Sequence, residues 1–513
     1  MKRNIFLAAC LMLTLSMNAQ REIVYHVFQR SFFDSNNDGH GDLKGIEAKI
    51  EYFKRLGVTA IQLSPVYQSD FYDNYFVTDF EKIDTEYGTF KEYRDLVQAL
   101  HRVDMKVYQE VSMDYIGGKH QWFTDSYKNS SSKYSSYLVY EDKQNQKPFY
   151  YLGIPELTLF GGSKSQAIAV NMKDPKVKEY ALKVLKYWAD PNGDGKFFDG
   201  VDGFRIAMAD NTEAGKQANL LKEFWLPIVA GLKKVNPGIV IIADQADHNS
   251  YGYDYFKKAE IDGVMAFKIK SAIDSFDKKK IEAAVDSTFH NLQEGKLQWV
   301  FIEDSNTKRF ATIASGNAGK LRAGAALNFL LGGIPVIYYG QEIGMKGEPL
   351  KGQPGGDDIP VREAFEWYTG ETGQGMALWY KDTGPWWDNR NMKANDGISF
   401  EEQVKDKNSL WSFYKELILL KKTQPALIAG EYSPVSNSND EVLSFIRTSG
   451  NDRILVVINL SGDRQETTLD YDYKLKFDSE TMRLLMGTAN SNLKKGGRGT
   501  SLSPYAVQVW KLL

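Results

Sequence analysis

Eight short β-branched runs alternate with helix-length amphipathic segments along this chain, and that alternation narrows the folds open to it. The runs cover 23–28, 58–63, 106–113, 201–206, 239–243, 263–267, 299–302 and 335–338. Between the first two, Ile46, Ile50, Phe53 and Leu56 fall at helical spacing on one face; Phe90, Tyr93, Leu96 and Leu100 repeat the pattern after the second. Strand–helix alternation predicts a parallel sheet with helices outside it. Eight units predict an α/β fold closed as a (β/α)8 TIM barrel.

The chain has 513 residues, more than the roughly 250 such a barrel takes. Two stretches break the rhythm. Residues 115–165 are rich in Ser, Lys and Tyr and carry no helical period, so they read as a small domain inserted after the third strand. The barrel resumes by Asp174-Pro175, a cap followed by proline at the first helical position. From 426 onward the pattern turns to alternating strands, at 442–446, 453–458 and 506–512, which predicts a C-terminal all-β sandwich. The expected division is barrel 21–114 and 166–425, inserted domain 115–165, and sandwich 426–513.

At the N-terminus Lys2-Arg3 precedes an apolar run over 5–15 and a small-residue end near Ala19-Gln20. This reads as a signal peptide over 1–20 and an exported chain, periplasmic or secreted. The run is too short to span a bilayer, which takes about 20 residues, and no later stretch could span one. Apolar sequence continues past Cys10, which argues against a lipoprotein cleavage there. Cys10 is the only cysteine, so cleavage near Ala19 leaves neither disulfide nor catalytic thiol. A net charge of -3 gives no pull toward nucleic acid.

Asp34, Asn36, Asp38 and Asp42 place oxygen side chains at alternating positions around Gly39. Such a run wraps a hard cation such as calcium or forms a polar turn. A second run, Asp190 to Gly195, has similar chemistry, lacks a closing acid at the usual distance, and has Asp199 nearby.

These segments belong to a wider likeness. The stretch 25–46, Gly57 to Pro65, Val77-Thr78-Asp79, Tyr87-Gly88-Thr89, Asp202-Gly203-Phe204-Arg205 and Gly333 to Gly344 resemble the α-amylase and oligo-glucosidase family of glycoside hydrolases. Arg362 to Trp367, Asp396 to Ser399, Asn408 to Tyr414 and Leu502 to Tyr505 extend the likeness over nearly the whole chain. The resemblance implies a retaining fold acting on α-glucans, with structural calcium held by Asp34, Asn36, Asp38 and Asp42 and helped by the His40 carbonyl.

Retaining glycoside cleavage needs two carboxyl groups about 5–5.5 Å apart. By resemblance the nucleophile belongs two residues after Arg205, and Ala207 stands there. The general acid belongs after the fifth strand, where Asp244 replaces a glutamate and loses about 1.5 Å of reach. The third carboxylate, which steadies the cationic transition state, belongs at Asn306. Of the sugar-contacting residues, Tyr75 and Arg205 persist, while Asp73, Asp114, Tyr115, Asp210 and Asp304 stand where the family has other groups. The expectation is an oligosaccharide binder with hydrolysis lost or severely impaired, which could assist a partner hydrolase. The alternatives are an active glucosidase or transglycosylase with relocated carboxylates, and a scaffold that binds no sugar. The added aspartates raise a further question, a pocket suited to a cation or an amine.

Overall fold

The computed structural model describes residues 20–211, 214–470, 482–488, 492–493 and 499–513. The expected signal peptide over 1–20, Cys10 included, lies outside the described residues, except for Gln20. No helix among the described residues is long and apolar enough to cross a membrane.

Eight parallel strands close into a barrel: β1 (Val24–Val27), β2 (Ala60–Leu63), β3 (Lys106–Val111), β4 (Gly203–Ile206), β5 (Val240–Ala243), β6 (Gly263–Met265), β7 (Leu297–Val300) and β8 (Ile334–Tyr338). Each of the eight expected runs contains or overlaps one of them. The β8–β1 pair closes the ring, with Val24 opposite Val336. Inside, Val24, Ala60, Tyr108, Ile242, Met265, Trp299 and Val336 form one apolar cluster, with the Tyr108 and Trp299 rings edge-on at 5.0 Å. The barrel is therefore a filled core, and a ligand has to sit at its mouth.

The outer helices form for local reasons. Phe90–His101 starts in a capping box, Thr89 and Glu92 each accepting the other's backbone N–H, and buries Tyr93, Leu96, Val97 and Leu100. Pro175–Ala189 is capped by Asp174 with Pro175 at its first position.

The inserted region is larger than its sequence pattern suggests. Its sheet runs Tyr67–Ser69, Val77–Ile83, Tyr115–Gly117, Ala167–Ala169. Half of it comes from the segment after β2, which carries no strand alternation long enough to read. The region also contains a helix, Gln121–Ser126, where none was expected. Six residues hold too little period to recognise; the His120 imidazole accepts the Trp122 N–H, and Trp122 and Phe123 are buried.

The C-terminal part is all-β. A five-stranded sheet is ordered Glu431–Pro434, Val442–Ser449, Asp452–Asn459, Val507–Leu512, Met482–Gly487, beside a three-stranded sheet. Two buried side chains join it to the barrel: Arg447 donates to the Leu330 carbonyl at 3.1 Å, and Lys421 to that of Leu427 at 2.6 Å.

Candidate functional site

Alternate residues of a strand share a face. Two positions after the apolar barrel residues Val24, Ala60 and Tyr108 come His26, Gln62 and Glu110, so the core turns polar toward the mouth. Arg205 lies in register with Glu110 on the neighbouring strand, and Asp244 follows Ile242 by two.

Arg205 is the hub of this layer and is 1% exposed. Its Nη1 donates to Glu110 Oε2 at 2.8 Å; its Nη2 donates to Asp244 Oδ2 at 2.9 Å and to Asp304 Oδ2 at 2.6 Å. The other Asp304 oxygen is 3.0 Å from His26 Nδ1. Tyr75 donates its hydroxyl to Glu110 Oε1 at 2.8 Å. Burial would raise the Asp304 carboxyl, but Arg205 and His26 outweigh it and hold that group far below the usual range. Asp244 goes the other way. Burial raises it, the charges of Asp304 and Glu110 add to this, and Arg205 offsets only part, so it is pushed up to about 7. Neighbouring acids with such divided behaviour occur at functional sites and in structural ion networks alike.

A second guanidinium closes one side. Arg362 donates to Asp73 Oδ2 at 2.9 Å, Asn306 Oδ1 at 2.7 Å and Asp358 Oδ2 at 3.0 Å. Burial pushes Asp358 up, and the net result is about 6 despite Arg362.

Above these groups opens a cavity of about 360 Å³. Ala207, Asp244, Asn306, Tyr75, Asp114 and Tyr115 all line it. Ala207 presents a methyl group at the end of the strand next to the one that leads into Asp244. Asp114 accepts from Ser112 at 2.7 Å and from Asn211 at 2.8 Å. Three expected ligand contacts sit elsewhere. Arg205 and Asp304 are not among the lining residues; they are locked in the charged layer with Glu110. Asp210 faces away, its Oδ1 taking the Ala246 N–H at 3.0 Å and the Tyr255 hydroxyl, because the chain leaves the strand direction after Met208, a left-handed residue with φ 44°.

Sequence reading missed Glu110, His26, Asp357, Asp358 and the role of Arg362. A signal for Glu110 was present: in the strand Lys106–Val111 it is a charged residue two positions past the inward Tyr108. Asp357 and Asp358 come from the long loop after β8, where no periodicity points anywhere.

In the 34–42 loop, Asp34 accepts the N–H groups of Asn36, Asn37 and Gly39, Asp38 accepts that of His40, and Asp42 accepts those of Ser35 and Gly45. Among the described residues no three His, Cys, Asp or Glu side chains gather as a metal group. The loop does keep hard oxygen donors together: burial raises the Asp42 carboxyl, and the charge of Asp34 adds to it. Asp34, Asn36, Asp38 and Asp42 are oxygen donors, the type that calcium takes. In the 190–195 run, Asp190 accepts the Gly195 N–H at 2.9 Å, and Asp199 lies 3.2 Å from Arg94 Nε.

The sequence matches the family model for the α-amylase catalytic domain over residues 26–430. The chain belongs to the α-amylase family. A second match, to the maltogenic amylase C-terminal domain, covers residues 432–508. Relatives from this family include α-amylase 3 of Dictyoglomus thermophilum, 26% identical over 96% of this chain and 93% of that protein. The oligo-1,6-glucosidase of Bacillus cereus is 24% identical over 96% and 99%. The α-amylase of H. orenii shares the fold with a TM-score of 0.77 at 23% identity, covering 96% of this chain and 99% of that one. Amy13B of Eubacterium rectale does so with 0.78 at 22%, covering 96% of each.

Proposed function

We propose that this α-amylase-family protein binds an α-glucan or related oligosaccharide in the barrel-mouth cavity and hydrolyses it severely slowly or not at all. One observation carries the reading. The cavity wall holds Asp244 and the Ala207 methyl, and a methyl cannot form the covalent glycosyl bond. The next acid, Glu110, has both oxygens engaged, by Tyr75 and by Arg205. Asn306 is neutral and is held by Arg362, so it offers no charge to an oxocarbenium ion. Relatives named as α-amylase, oligo-1,6-glucosidase and cyclomaltodextrinase support glucose oligomers as the ligand class.

Calorimetry with maltoheptaose is expected to give binding heat. Incubation with maltooligosaccharides or an activated aryl α-glucoside is expected to stay at background. Turnover that vanishes in an Asp244→Ala variant would overturn the loss of hydrolysis. Absence of heat would favour a scaffold without sugar affinity. One observation favours the active alternative as a second reading: a carboxyl near 7 is well placed to donate a proton at neutral pH.

The same reading includes calcium on the 34–42 loop, held by Asp34, Asn36, Asp38 and Asp42 with the His40 carbonyl. The ion would fix the turn that feeds the helix Leu43–Ala48 and would perform no chemistry. Adding excess EDTA is expected to lower the thermal midpoint by several degrees, with calcium restoring it and magnesium doing so poorly. An unchanged midpoint would make the loop a polar turn.

A further inference from the structure

We propose that the cavity selects a sugar bearing a protonated amine over a neutral glucan; this rests on the sugar-binding reading above. Six carboxyl groups line the cavity, those of Asp73, Glu110, Asp114, Asp244, Asp357 and Asp358, and Arg362 is the one cation among the described lining residues. The Arg362 charge is divided between Asp73 and Asp358. Below it, Arg205 is shared by Glu110, Asp244 and Asp304. The two guanidinium groups are thus outnumbered by the acids around them, and both Nη atoms of each are already engaged.

Two of its acids also have acceptors to spare. Asp244 Oδ1 and Asp357 Oδ1 are buried and have no hydrogen-bond partner. Asp244 is 7% exposed, so bulk water does little for that oxygen. A buried carboxylate oxygen without a donor is costly, and a ligand that supplies the donor recovers that energy. A sugar hydroxyl can donate but carries no charge. An ammonium group brings three donors and a compensating charge, in hydrogen bonds about twice as strong as neutral ones.

The arrangement favours an organic cation over a metal ion. Among the described residues no three acids or histidines converge as a metal group. Tyr75, Phe76, Tyr151 and Leu350 supply apolar wall for a sugar ring. At about 360 Å³ the volume suits one or two sugar units.

The test is calorimetry on the full chain with three probes: maltose, an α-1,4-linked disaccharide containing glucosamine, and the N-acetyl form of that disaccharide. The amine is expected to bind about 10- to 100-fold more tightly than either neutral sugar. That advantage should shrink in 0.5 M salt, and the Asp357→Asn variant should reduce it by about tenfold. Because Asp357 sits on a partly exposed loop, this isosteric change tests the charge without disturbing the barrel. Equal affinity for maltose and the amine would overturn the amine preference and leave the sugar reading standing. Binding of none of the three would overturn both. An amine advantage that survives in Asp357→Asn and also in Asp244→Asn would overturn the assignment to these oxygens.

Discussion

Replacing Arg205 with methionine is expected to destabilise the protein by about 3–5 kcal/mol near pH 8, the largest effect of any single substitution in the site. Methionine nearly fills the volume and removes the charge. Glu110, Asp304 and Asp244 would then face one another, buried, with no guanidinium between them. Removing one partner from a buried ionic group costs more than the group contributed, because the remaining charges stay desolvated.

The pH dependence has a definite sign. In the parent chain Asp304 is held well below its ordinary value, so its stabilisation is present above the unfolded pKa and lost as pH falls through the folded one. Without Arg205 the same carboxyls have raised values, so the penalty appears as pH rises through them. The deficit should therefore be larger near pH 8 than near pH 5, where the loss of the Arg205–Asp304 pair remains but the unpaired carboxyls can stay protonated. Thermal midpoints at both values would measure it. Adding Glu110→Gln and Asp304→Asn to the Arg205→Met variant should recover most of the loss. A loss below about 1 kcal/mol at pH 8 would mean that the charged layer does not hold the barrel mouth together.

A gain of hydrolysis is the second large effect. The variant combining Ala207→Asp, Asp244→Glu and Asn306→Asp is expected to cleave an activated aryl α-glucoside at least about 10³-fold faster than the parent chain. Catalytic groups that act as a unit are strongly non-additive, so Ala207→Asp alone should recover much less. Each change has a local support. Ala207 is two residues past Arg205 on the same strand face. A glutamate at 244 regains the reach of one methylene. An aspartate at 306 would accept a charge-assisted hydrogen bond from Arg362, which already donates to Asn306 at 2.7 Å. No gain in a variant that folds and still binds sugar would show that the cavity has diverged beyond these three positions.

The parts that were legible in the sequence are those with local causes. The barrel strands are short, apolar-rich runs buried almost throughout, and helices such as Phe90–His101 and Pro175–Ala189 carry their own cap and apolar stripe. Asp244 and Ala207 were legible because both lie close to strand ends that the alternation locates. The inserted region was less so: the helix Gln121–Ser126 and the strand Tyr67–Ser69 are too short for a period to stand out, and Val77–Ile83 buries Val77, Phe80 and Ile83 three apart instead of alternating. The placement of Asp304 and Asp210 was misjudged because the direction of a side chain beyond a strand end depends on loop dihedrals, such as φ 44° at Met208.

The sequence alone determined that Ala207 stands two residues after Arg205, that Asp244 follows the fifth strand run and that Asn306 follows the seventh. Residue identity at a strand end is a one-dimensional fact. Only the tertiary structure decided what the charges do. Arg205, Glu110 and Asp304 come from strands or turns about 100 residues apart in the chain, and Arg362 reaches Asp73 across 289 positions. Whether an acid is paired, shared or left with a free oxygen depends on which partners the closed barrel brings within 3 Å, and the order of residues along a chain does not encode that distance locally.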